Sequence, residues 1–182
     1  MSSKDHVRLS KFLSLVLRHD PNSIGIVLDP NGWTSVDALI ERASAHGHPF
    51  GRETLAAIVR ESDKQRFALS EDGSMIRANQ GHSVQVDLGY EAAEPPLGLF
   101  HGTAARNTAS ILAQGLIKGA RHHVHLSSDL QTAHKVGQRR GPPVVFRVNS
   151  GSMYADGLTF FRSANGVWLT DHVPPIYLER LL

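Results

Sequence analysis

The fold of the N-terminal half depends on residues 67–77, which read FALSEDGSMIR. Apolar residues lie near both ends of this stretch, and the pair Asp72-Gly73 between them is typical of a tight turn that joins two antiparallel strands. The stretch therefore predicts a hairpin whose strands are Phe67–Leu69 and residues 75–77.

Three amphipathic segments come before this hairpin. Residues 7–19 place their apolar side chains on one helical stripe, and Pro21 forbids continuation of that helix. A second helix follows Thr34 or Ser35, either of which can cap it, and a third contains Leu55. Helix, helix, helix, hairpin is the order of a winged-helix fold, so we expect this fold in the N-terminal lobe.

The second half has a different pattern. Residues 79–96 mix glycine and proline with short apolar alternation, and they predict a connector that includes one strand at residues 84–88. Helices fit only at residues 104–114 and 129–137. Strand-like runs occupy residues 97–101, 124–126, 144–148, 158–161, 167–169 and 176–178.

These patterns together predict an α+β protein with a winged-helix lobe at residues 1–80, a connector at 81–96 and a β-rich lobe at 97–182. Basic and acidic residues are balanced at ten each in residues 1–80, whereas residues 95–182 contain nine basic and four acidic residues. The positive excess of the chain is therefore in its second half.

The composition excludes several classes of protein. The 182 residues, of which 41% are hydrophobic, suffice for two small lobes with apolar cores. The absence of cysteine removes disulfides, thiolate zinc sites and cysteine nucleophiles, and it fits a reducing cytoplasm. No apolar run approaches the roughly 20 residues of a membrane span, and no leader opens the chain. We expect a cytoplasmic protein that does not enter a membrane, and we take it to be a monomer.

Arg18-His19, at the predicted end of the first helix, is the first candidate for chemistry. It pairs a bidentate phosphate donor with a side chain that moves protons near neutral pH. A helix C-terminus also favours cations for structural reasons alone, and Arg66 at the start of the hairpin suits a solvated strand equally well.

A second cluster, His101-Gly102-Thr103, lies between a predicted strand and a predicted helix. Thr103 can cap that helix, and Gly102 lets a ligand approach the backbone closely. A simple strand-to-helix turn accounts for the same spacing, so both interpretations stay open.

A third cluster is the segment 121–127, which reads RHHVHLS. Strand alternation places His123 and His125 on one face, where they could supply two zinc ligands. Neither an HExxH motif nor a cysteine accompanies them, so no metal is expected. Arg139-Arg140, after a predicted helix, suits either a solvated loop or a pyrophosphate contact.

Taken in order along nearly the whole chain, these segments resemble the RNA 2'-phosphotransferase family, the KptA-type tRNA 2'-phosphotransferases. The resemblance rests on short motifs at Leu17-Arg18-His19, Gln80-Gly81-His82-Ser83, His101-Gly102-Thr103, Arg121 with His123-Val124-His125-Leu126-Ser127, Gly137 with Arg140, and Asn165-Gly166-Val167-Trp168-Leu169. It implies an N-terminal winged-helix lobe and a C-terminal ADP-ribosyltransferase-like lobe with an NAD cleft.

The resemblance also implies roles for individual residues. The set that it implies for the RNA 2'-phosphate is Arg18, His19, Arg66 and Arg121. The set that it implies for NAD, the co-substrate, is His101, Gly102, Thr103, His125, Ser127 and Arg140. Arg139 lies beside Arg140, so either arginine can take the last of these places.

The reaction that the resemblance implies has two steps. The RNA 2'-phosphate attacks the nicotinamide ribose of NAD, which gives nicotinamide and 2'-phospho-ADP-ribosylated RNA. The ribose 2''-hydroxyl then attacks the phosphorus and releases RNA with a free 2'-hydroxyl and ADP-ribose 1'',2''-cyclic phosphate. The phosphate is already ionised and needs no glutamate as a base, whereas the second step needs proton transfer, for which His19 is the natural candidate.

Two other functions stay open at this point. The same NAD lobe could ADP-ribosylate proteins or nucleic-acid ends, or the chain could be a winged-helix regulator whose second lobe senses a nucleotide without catalysis. On the third helix, Arg52 and Arg60 are offset by Glu53 and Glu61, which disfavours binding to a duplex groove.

Overall fold

The computed structural model of the chain describes residues 3–62 and 64–181. The described residues contain six α-helices and several small antiparallel sheets, which makes the chain a mixed α+β protein. The chain divides into two units, Met1–Gly89 and Tyr90–Leu182. Their border falls inside residues 81–96, and the assignment of a functional lobe to each unit stays a prediction. No helix within the described ranges is both long and apolar enough to cross a bilayer.

In its described residues, the first unit has three helices and three short strands. The helices are α1 Ser3–Arg18, α2 Val36–Ala45 and α3 Arg52–Arg60, and the strands are β1 Thr34–Ser35, β2 Phe67–Leu69 and β3 Met75–Ala78. The strands form one antiparallel sheet in the order β1-β3-β2, and Ile76 of β3 is paired on both sides. The three predicted helices, the cap at Ser35 and the predicted hairpin are confirmed. Strand β1 was missed because two residues are too few to show a period.

The end of α1 is fixed by the residues that follow it. The side chain of Asp20 accepts a hydrogen bond from the backbone N–H of Ser23 at 3.1 Å and begins a 3₁₀ turn at Pro21–Ile24. The proline has no N–H to continue the helical ladder, so α1 cannot extend into this turn. The chain leaves the helix directly after Arg18, and this determines where Arg18 and His19 lie.

One apolar core holds the first unit together. Leu13, Val16 and Leu17 of α1 are fully buried and pack with residues of α2, α3 and the sheet. Burial of each such aliphatic side chain stabilises the unit by about 1.5–3 kcal/mol. The opposite face of α1 does not belong to this core, since Leu15 is 47% exposed.

The strand predicted at residues 84–88 is wrong. In the described chain this segment joins no sheet, and the backbone N–H of Val84 instead donates to the carbonyl oxygen of Arg18 at 3.2 Å. The apolar residues of the segment pack on a loop, where Leu88 lies near Gly32. Alternating apolar residues here reflect this packing and not a β-ladder.

The described residues of the second unit form eight strands and three helices. The strands are β4 Leu99–Ala104, β5 Leu116–Ile117, β6 Val124–Leu126, β7 Pro143–Val148, β8 Phe160–Arg162, β9 Trp168–Thr170, β10 His172–Val173 and β11 Leu178–Arg180. The helices are α4 Thr108–Gln114, α5 Leu130–Gly137 and α6 Ser150–Ala155. Two three-stranded antiparallel sheets, β11-β7-β4 and β6-β9-β8, form most of the unit, and β5 pairs with β10.

Backbone hydrogen bonds link the two larger sheets. The N–H of Phe100 in β4 donates to the carbonyl oxygen of Ser127 at 2.9 Å, and the N–H of Ser127 donates to the carbonyl oxygen of Phe100 at 2.8 Å. Ser127 comes directly after β6. The link therefore brings the motif residues that begin at His101 beside those around His125.

Helix α5 lies directly on β4. A Cβ atom added to Gly102 would overlap the carbonyl oxygen of Ala133, and one added to Gly137 would lie 2.8 Å from the carbonyl oxygen of Thr103. Only glycine allows two backbones to approach this closely. The backbone of α5 therefore fills the space beside Gly102 where a side chain would lie, and a ligand contact at this glycine stays a prediction.

The strand predicted at residues 97–101 and the helix predicted from residue 104 both begin later than expected. The ladder with β7 continues to the end of β4, so Thr103 belongs to the strand and does not cap a helix. Its Oγ1 instead accepts a hydrogen bond from Nδ2 of Asn107 at 2.9 Å. A 3₁₀ turn follows, and α4 begins at Thr108 without a side-chain cap.

Two further expectations are corrected near the C-terminus. The second half was expected to contain two helices, but α6 is present as well, and the side chain of Asn149 caps it through the N–H of Ser152. Its six residues are too few to show an amphipathic period. Most of the strand predicted at residues 176–178 is a 3₁₀ turn, Pro175–Tyr177, because a proline fixes φ and cannot donate to a ladder.

Candidate functional site

Arg18 is held against the start of the hairpin. Its Nη2 donates to the backbone carbonyl oxygen of Arg66 at 3.2 Å, and its guanidinium carbon lies 5.7 Å from the centroid of the Phe67 ring. The side chain is half-buried. The structure thus brings Arg18 to the strand that follows Arg66, as a shared role of the two arginines requires.

His19 is exposed, and Ser83 fixes its ring. Nδ1 of His19 lies 2.9 Å from Oγ of Ser83, and the backbone N–H of Ser83 donates to the carbonyl oxygen of Arg18 at 2.9 Å. When the Ser83 hydroxyl donates to that same carbonyl, 3.5 Å away, it accepts the Nδ1 proton of His19. In that tautomer the proton lies on Nδ1, and Nε2 is the basic nitrogen of the ring.

Arg66 comes directly before β2 and is half-buried. Its backbone N–H and its Nη1 both donate to Oγ of Ser62, each at 3.4 Å. Together with His19 it lines an open groove of about 540 Å³ on the surface of the first unit. Three of the four residues predicted for the RNA phosphate therefore lie close together in this unit, and their role stays a prediction.

In the second unit, His101 of β4 faces the end of β6. Its Nδ1 donates to the carbonyl oxygen of His125 at 3.1 Å, since a carbonyl can only accept. Burial of the ring lowers the pKa of His101 below its ordinary value, and the positive charge of Arg121 lowers it further. The ring is therefore neutral near pH 7, and its Nε2 is a hydrogen-bond acceptor.

Three arginines of the second unit share one electrostatic environment. Partial burial lowers the pKa of Arg121, and the nearby charges of Arg140 and then Arg139 lower it further. In the described part of the chain, none of the three forms a salt bridge with a carboxylate. Nη1 of Arg106 donates to the carbonyl oxygen of Arg140 at 3.2 Å and supports the loop that holds two of them. Guanidinium groups whose charges act on one another in this way favour the binding of an anion.

The carboxylates of the β-rich region are occupied elsewhere. Each of the four acidic side chains between residues 97 and 181 has a partner with a structural role. Asp129 accepts from the N–H of Thr132 at 2.7 Å, Asp156 accepts from the hydroxyl of Tyr177 at 2.6 Å, Asp171 pairs with Lys118 at 3.0 Å, and Glu179 pairs with Arg147 at 3.6 Å. The region thus offers guanidinium groups but no carboxylate without a partner.

His123 and His125 have different surroundings. His123 precedes β6, and its ring packs edge-on against Phe161 and Tyr90, with centroids 5.4 and 6.1 Å away. Burial lowers its pKa. His125 lies in β6 opposite Leu169. Across residues 3–62 and 64–181, no three His, Asp or Glu side chains are close enough together to hold a metal ion.

The remaining predicted contacts lie on the same framework. Gly102 and Thr103 belong to β4, Ser127 makes the link between the sheets, and Arg140 belongs to the cluster with Arg121. Sequence reasoning gave no role to Ser83 or Arg106. Ser83 was within a quoted motif, so a contact with His19 could have been suspected, whereas nothing in the sequence marks Arg106.

Comparison with known proteins adds an independent observation. The sequence pattern of the family described as "RNA 2'-phosphotransferase, Tpt1 / KptA family" matches residues 4–172. The chain belongs to this family. A "Probable RNA 2'-phosphotransferase" of Agrobacterium fabrum is 59% identical over 169 residues, which cover 93% of this chain and 91% of the relative. A protein of the same description from Nostoc punctiforme is 50% identical, and the match covers 100% of both chains. Another from Streptomyces coelicolor is 51% identical, and the match covers 98% of this chain and 97% of the relative. The resemblance drawn from the short motifs is confirmed.

Proposed function

We propose that the chain removes the 2'-phosphate from RNA and uses NAD as the co-substrate that accepts it. The observation that carries this proposal is membership of the family across residues 4–172, in a chain that gathers Arg18, His19 and Arg66 in one unit. The second unit gathers Arg121, Arg139 and Arg140. Each set of cations would have a phosphate to bind, because the RNA carries a 2'-phosphate and NAD carries a pyrophosphate.

We interpret the first unit as a winged helix and the second as an ADP-ribosyltransferase-like lobe. The first interpretation is supported by the order α1, β1, α2, α3, β2, β3 and by the sheet order β1-β3-β2. The second is supported by two linked antiparallel sheets with a helix lying on β4.

The side chains of the second unit suit NAD. The pyrophosphate is an anion that guanidinium groups bind well, and Arg140 with Arg139 would hold it. Nε2 of His101 would accept a hydrogen bond from a ribose hydroxyl or the carboxamide N–H. His125 and Ser127, beside the link between the sheets, would complete the contacts. When bound, NAD supplies an electrophilic anomeric carbon and nicotinamide as a leaving group.

In the first step, the residues need to position the phosphate and do not need to activate it. A phosphate monoester has a second pKa of about 6 and is already an anion near pH 7. One of its oxygens forms a bond to the anomeric carbon, and nicotinamide leaves with the electrons of the broken C–N bond. Arg18 and Arg66 of the first unit would hold the phosphate during this displacement, and the family resemblance implies the same role for Arg121. The engagement of all four carboxylates between residues 97 and 181 agrees with a nucleophile that needs no base.

In the second step, a proton has to move. His19 takes the proton of the ribose 2''-hydroxyl at Nε2 as that oxygen bonds to phosphorus, and returns it to the departing RNA 2'-oxygen. The products are RNA with a 2'-hydroxyl and ADP-ribose 1'',2''-cyclic phosphate. The arginines stabilise charge in the transition state, where loss of one such donor lowers the rate by about 10²–10³-fold.

Purified full-length protein, NAD and an oligonucleotide with one internal 2'-phosphate test the proposal. We expect loss of the phosphate from RNA and formation of ADP-ribose 1'',2''-cyclic phosphate, detected by mass spectrometry, with the same rate in EDTA. An Arg18→Ala variant is the matched control for a contaminating phosphatase. Transfer of ADP-ribose to a protein or a nucleic-acid end instead, or NAD binding without turnover, would replace this proposal by one of the two alternative functions.

A further inference from the structure

One face of α1 lines the groove on the first unit and stays outside the core. The residues of this face recur at helical spacing and are His6, Val7, Ser10, Lys11, Ser14 and Leu15. The other wall comes from the end of α3 and the start of the hairpin, through Ile58, Glu61, Ser62 and Arg66, and His19 also lines the groove. From here on this is called the α1 groove.

The α1 groove combines apolar and cationic side chains. Val7 is 54% exposed and Leu15 is 47% exposed, so both present apolar surface in the groove. Lys11 is exposed beside them. An apolar surface can contact the bases or sugars of a nucleic acid, and cations beside it can contact the phosphates.

The charge of the α1 groove favours an anionic strand. The cations are Lys11 and Arg66, with His6 and His19 as further donors, and the opposing carboxylate is Glu61. That carboxylate already has two partners, because Arg60 lies 3.3 Å and His6 lies 3.7 Å from its oxygens. Its repulsion of a phosphate is therefore weakened.

The α1 groove is continuous with the residues proposed to bind the 2'-phosphate. His19 and Arg66 belong to both, and α1 extends back from Arg18 by twelve residues to His6, which is about 18 Å at 1.5 Å per residue. If a nucleotide is bound at Arg66 through its 2'-phosphate, the RNA on one side of it would thus be within reach of the α1 groove.

We propose that the α1 groove binds the single-stranded RNA next to the 2'-phosphorylated nucleotide, on one side of it. Val7 and Leu15 contact bases or sugars there, and Lys11 contacts a backbone phosphate. This proposal rests on the proposed function. It predicts that the protein prefers a long single-stranded substrate to a 2'-phosphorylated nucleotide without neighbours.

Charge reversal at Lys11 tests the proposal, with Arg8 as the control. Arg8 is exposed on the same helix but does not line the α1 groove. Three substrates are compared by kcat/KM: the nucleotide alone, and oligonucleotides extended by five nucleotides on the 5' or the 3' side. We expect Lys11→Glu to reduce the preference for one extended substrate by about tenfold, and Arg8→Glu to retain it. In Lys11→Glu, the negative slope of log(kcat/KM) against the logarithm of the salt concentration should become shallower by about 0.7, as expected for one lost phosphate contact with a single strand.

The outcomes separate this proposal from the proposed function. Equal preferences in Lys11→Glu and Arg8→Glu, or a wild-type protein that turns over all three substrates equally well, would overturn the role of the α1 groove while leaving the activity intact. If the wild type turns over none of them, the proposed function fails. The α1 groove is then tested by fluorescence anisotropy with labelled single-stranded RNA, where weaker binding by Lys11→Glu than by Arg8→Glu supports it and equal binding overturns it.

Discussion

Arg18 and His19 are neighbours in sequence, but their surroundings differ. Arg18 is half-buried and bonded to the backbone at Arg66, whereas His19 is exposed and bonded to the side chain of Ser83. Loss of Arg18 therefore removes a contact of the fold as well as a proposed phosphate donor. Because His19 is exposed, we expect its loss to disturb the fold less and to test the chemistry more cleanly.

We expect His19→Ala to accumulate 2'-phospho-ADP-ribosylated RNA. The first step needs no proton transfer, so it should continue at a reduced rate, whereas the second step loses its proton carrier, a loss of about 10²–10⁴-fold. Rapid-quench sampling with radiolabelled RNA measures both species. A variant that blocks the first step as well, with no intermediate at any time, would assign His19 to phosphate binding.

Ser83 should act by positioning His19. In Ser83→Ala the ring loses its 2.9 Å partner, so we expect kcat to fall by about tenfold, the equivalent of ~1.4 kcal/mol, with little change in KM for RNA. Ser83→Thr keeps the hydroxyl and should restore most of kcat. If alanine and threonine at this position behave alike, or if KM changes more than kcat, the hydroxyl does not orient the imidazole.

At the scale of elements, the sequence predicts best where a long period has a clear end. α1 has both, since its apolar stripe stops at Pro21, and the hairpin has the turn pair at Asp72. β5 and β10 are two residues each and α6 is six, so none of them shows a period. The strand predicted at residues 97–101 ended too early because Gly102 and Thr103 carry the signals of a helix start. In the structure, pairing with β7 keeps both residues in β4.

The candidate site could be predicted only in part for a similar reason. Arg18, His19 and Arg121 were proposed through motifs that the chain shares with a family. The contacts that orient these residues join positions far apart in the chain, such as His19 with Ser83, and the approach of Ala133 to Gly102 leaves no trace in either segment alone. Periodicity and spacing cannot report such tertiary contacts.

The contact of α5 with β4 gives a stability prediction. Gly102→Ala places a methyl group where the Ala133 carbonyl oxygen lies, so we expect a loss of about 3 kcal/mol, at the upper end of overpacking effects. Gly98→Ala is the control, because its new methyl group meets only the movable side chain of Arg147, and a change of about 0.5 kcal/mol or less is expected. Urea denaturation measures both. Equal midpoints for the two variants would show that α5 can move away from β4 at little cost.

The buried ring of His101 makes stability depend on pH. Its folded pKa lies below the unfolded value of about 6.5, so the contribution is complete above pH 6.5 and is lost as pH falls through the folded pKa. We expect the wild type to lose stability between pH 7 and pH 5. His101→Asn, which keeps a donor toward the His125 carbonyl but does not titrate, should lose less over the same interval, and His123 accounts for part of what remains. Urea midpoints at the two pH values decide, and an equal loss in both proteins would rule out His101 as the source.

At the scale of the whole molecule, the proposed function assigns Arg140 of the second unit to NAD and Arg18 of the first unit to the RNA phosphate. In the full-length protein we expect Arg140→Ala to raise the Kd for NAD by about tenfold or more, since hydrogen bonds to charged groups contribute about 1.5–3 kcal/mol. Arg18→Ala should change that Kd by about twofold or less, yet slow phosphate removal by about 10²–10³-fold. Calorimetry with NAD alone separates the two effects. Weakened NAD binding in Arg18→Ala would contradict this division of labour.

The hydrogen bonds and ion pairs of the four acidic side chains between residues 97 and 181 bear on whether NAD is hydrolysed when no RNA is present. If NAD also binds when no RNA is present, water is the competing nucleophile at its anomeric carbon. Each of these carboxylates is already held by Thr132, Tyr177, Lys118 or Arg147, so none is poised to deprotonate that water. If NAD binds as proposed, we therefore expect the protein alone to hydrolyse NAD much more slowly than it consumes NAD with 2'-phosphorylated RNA.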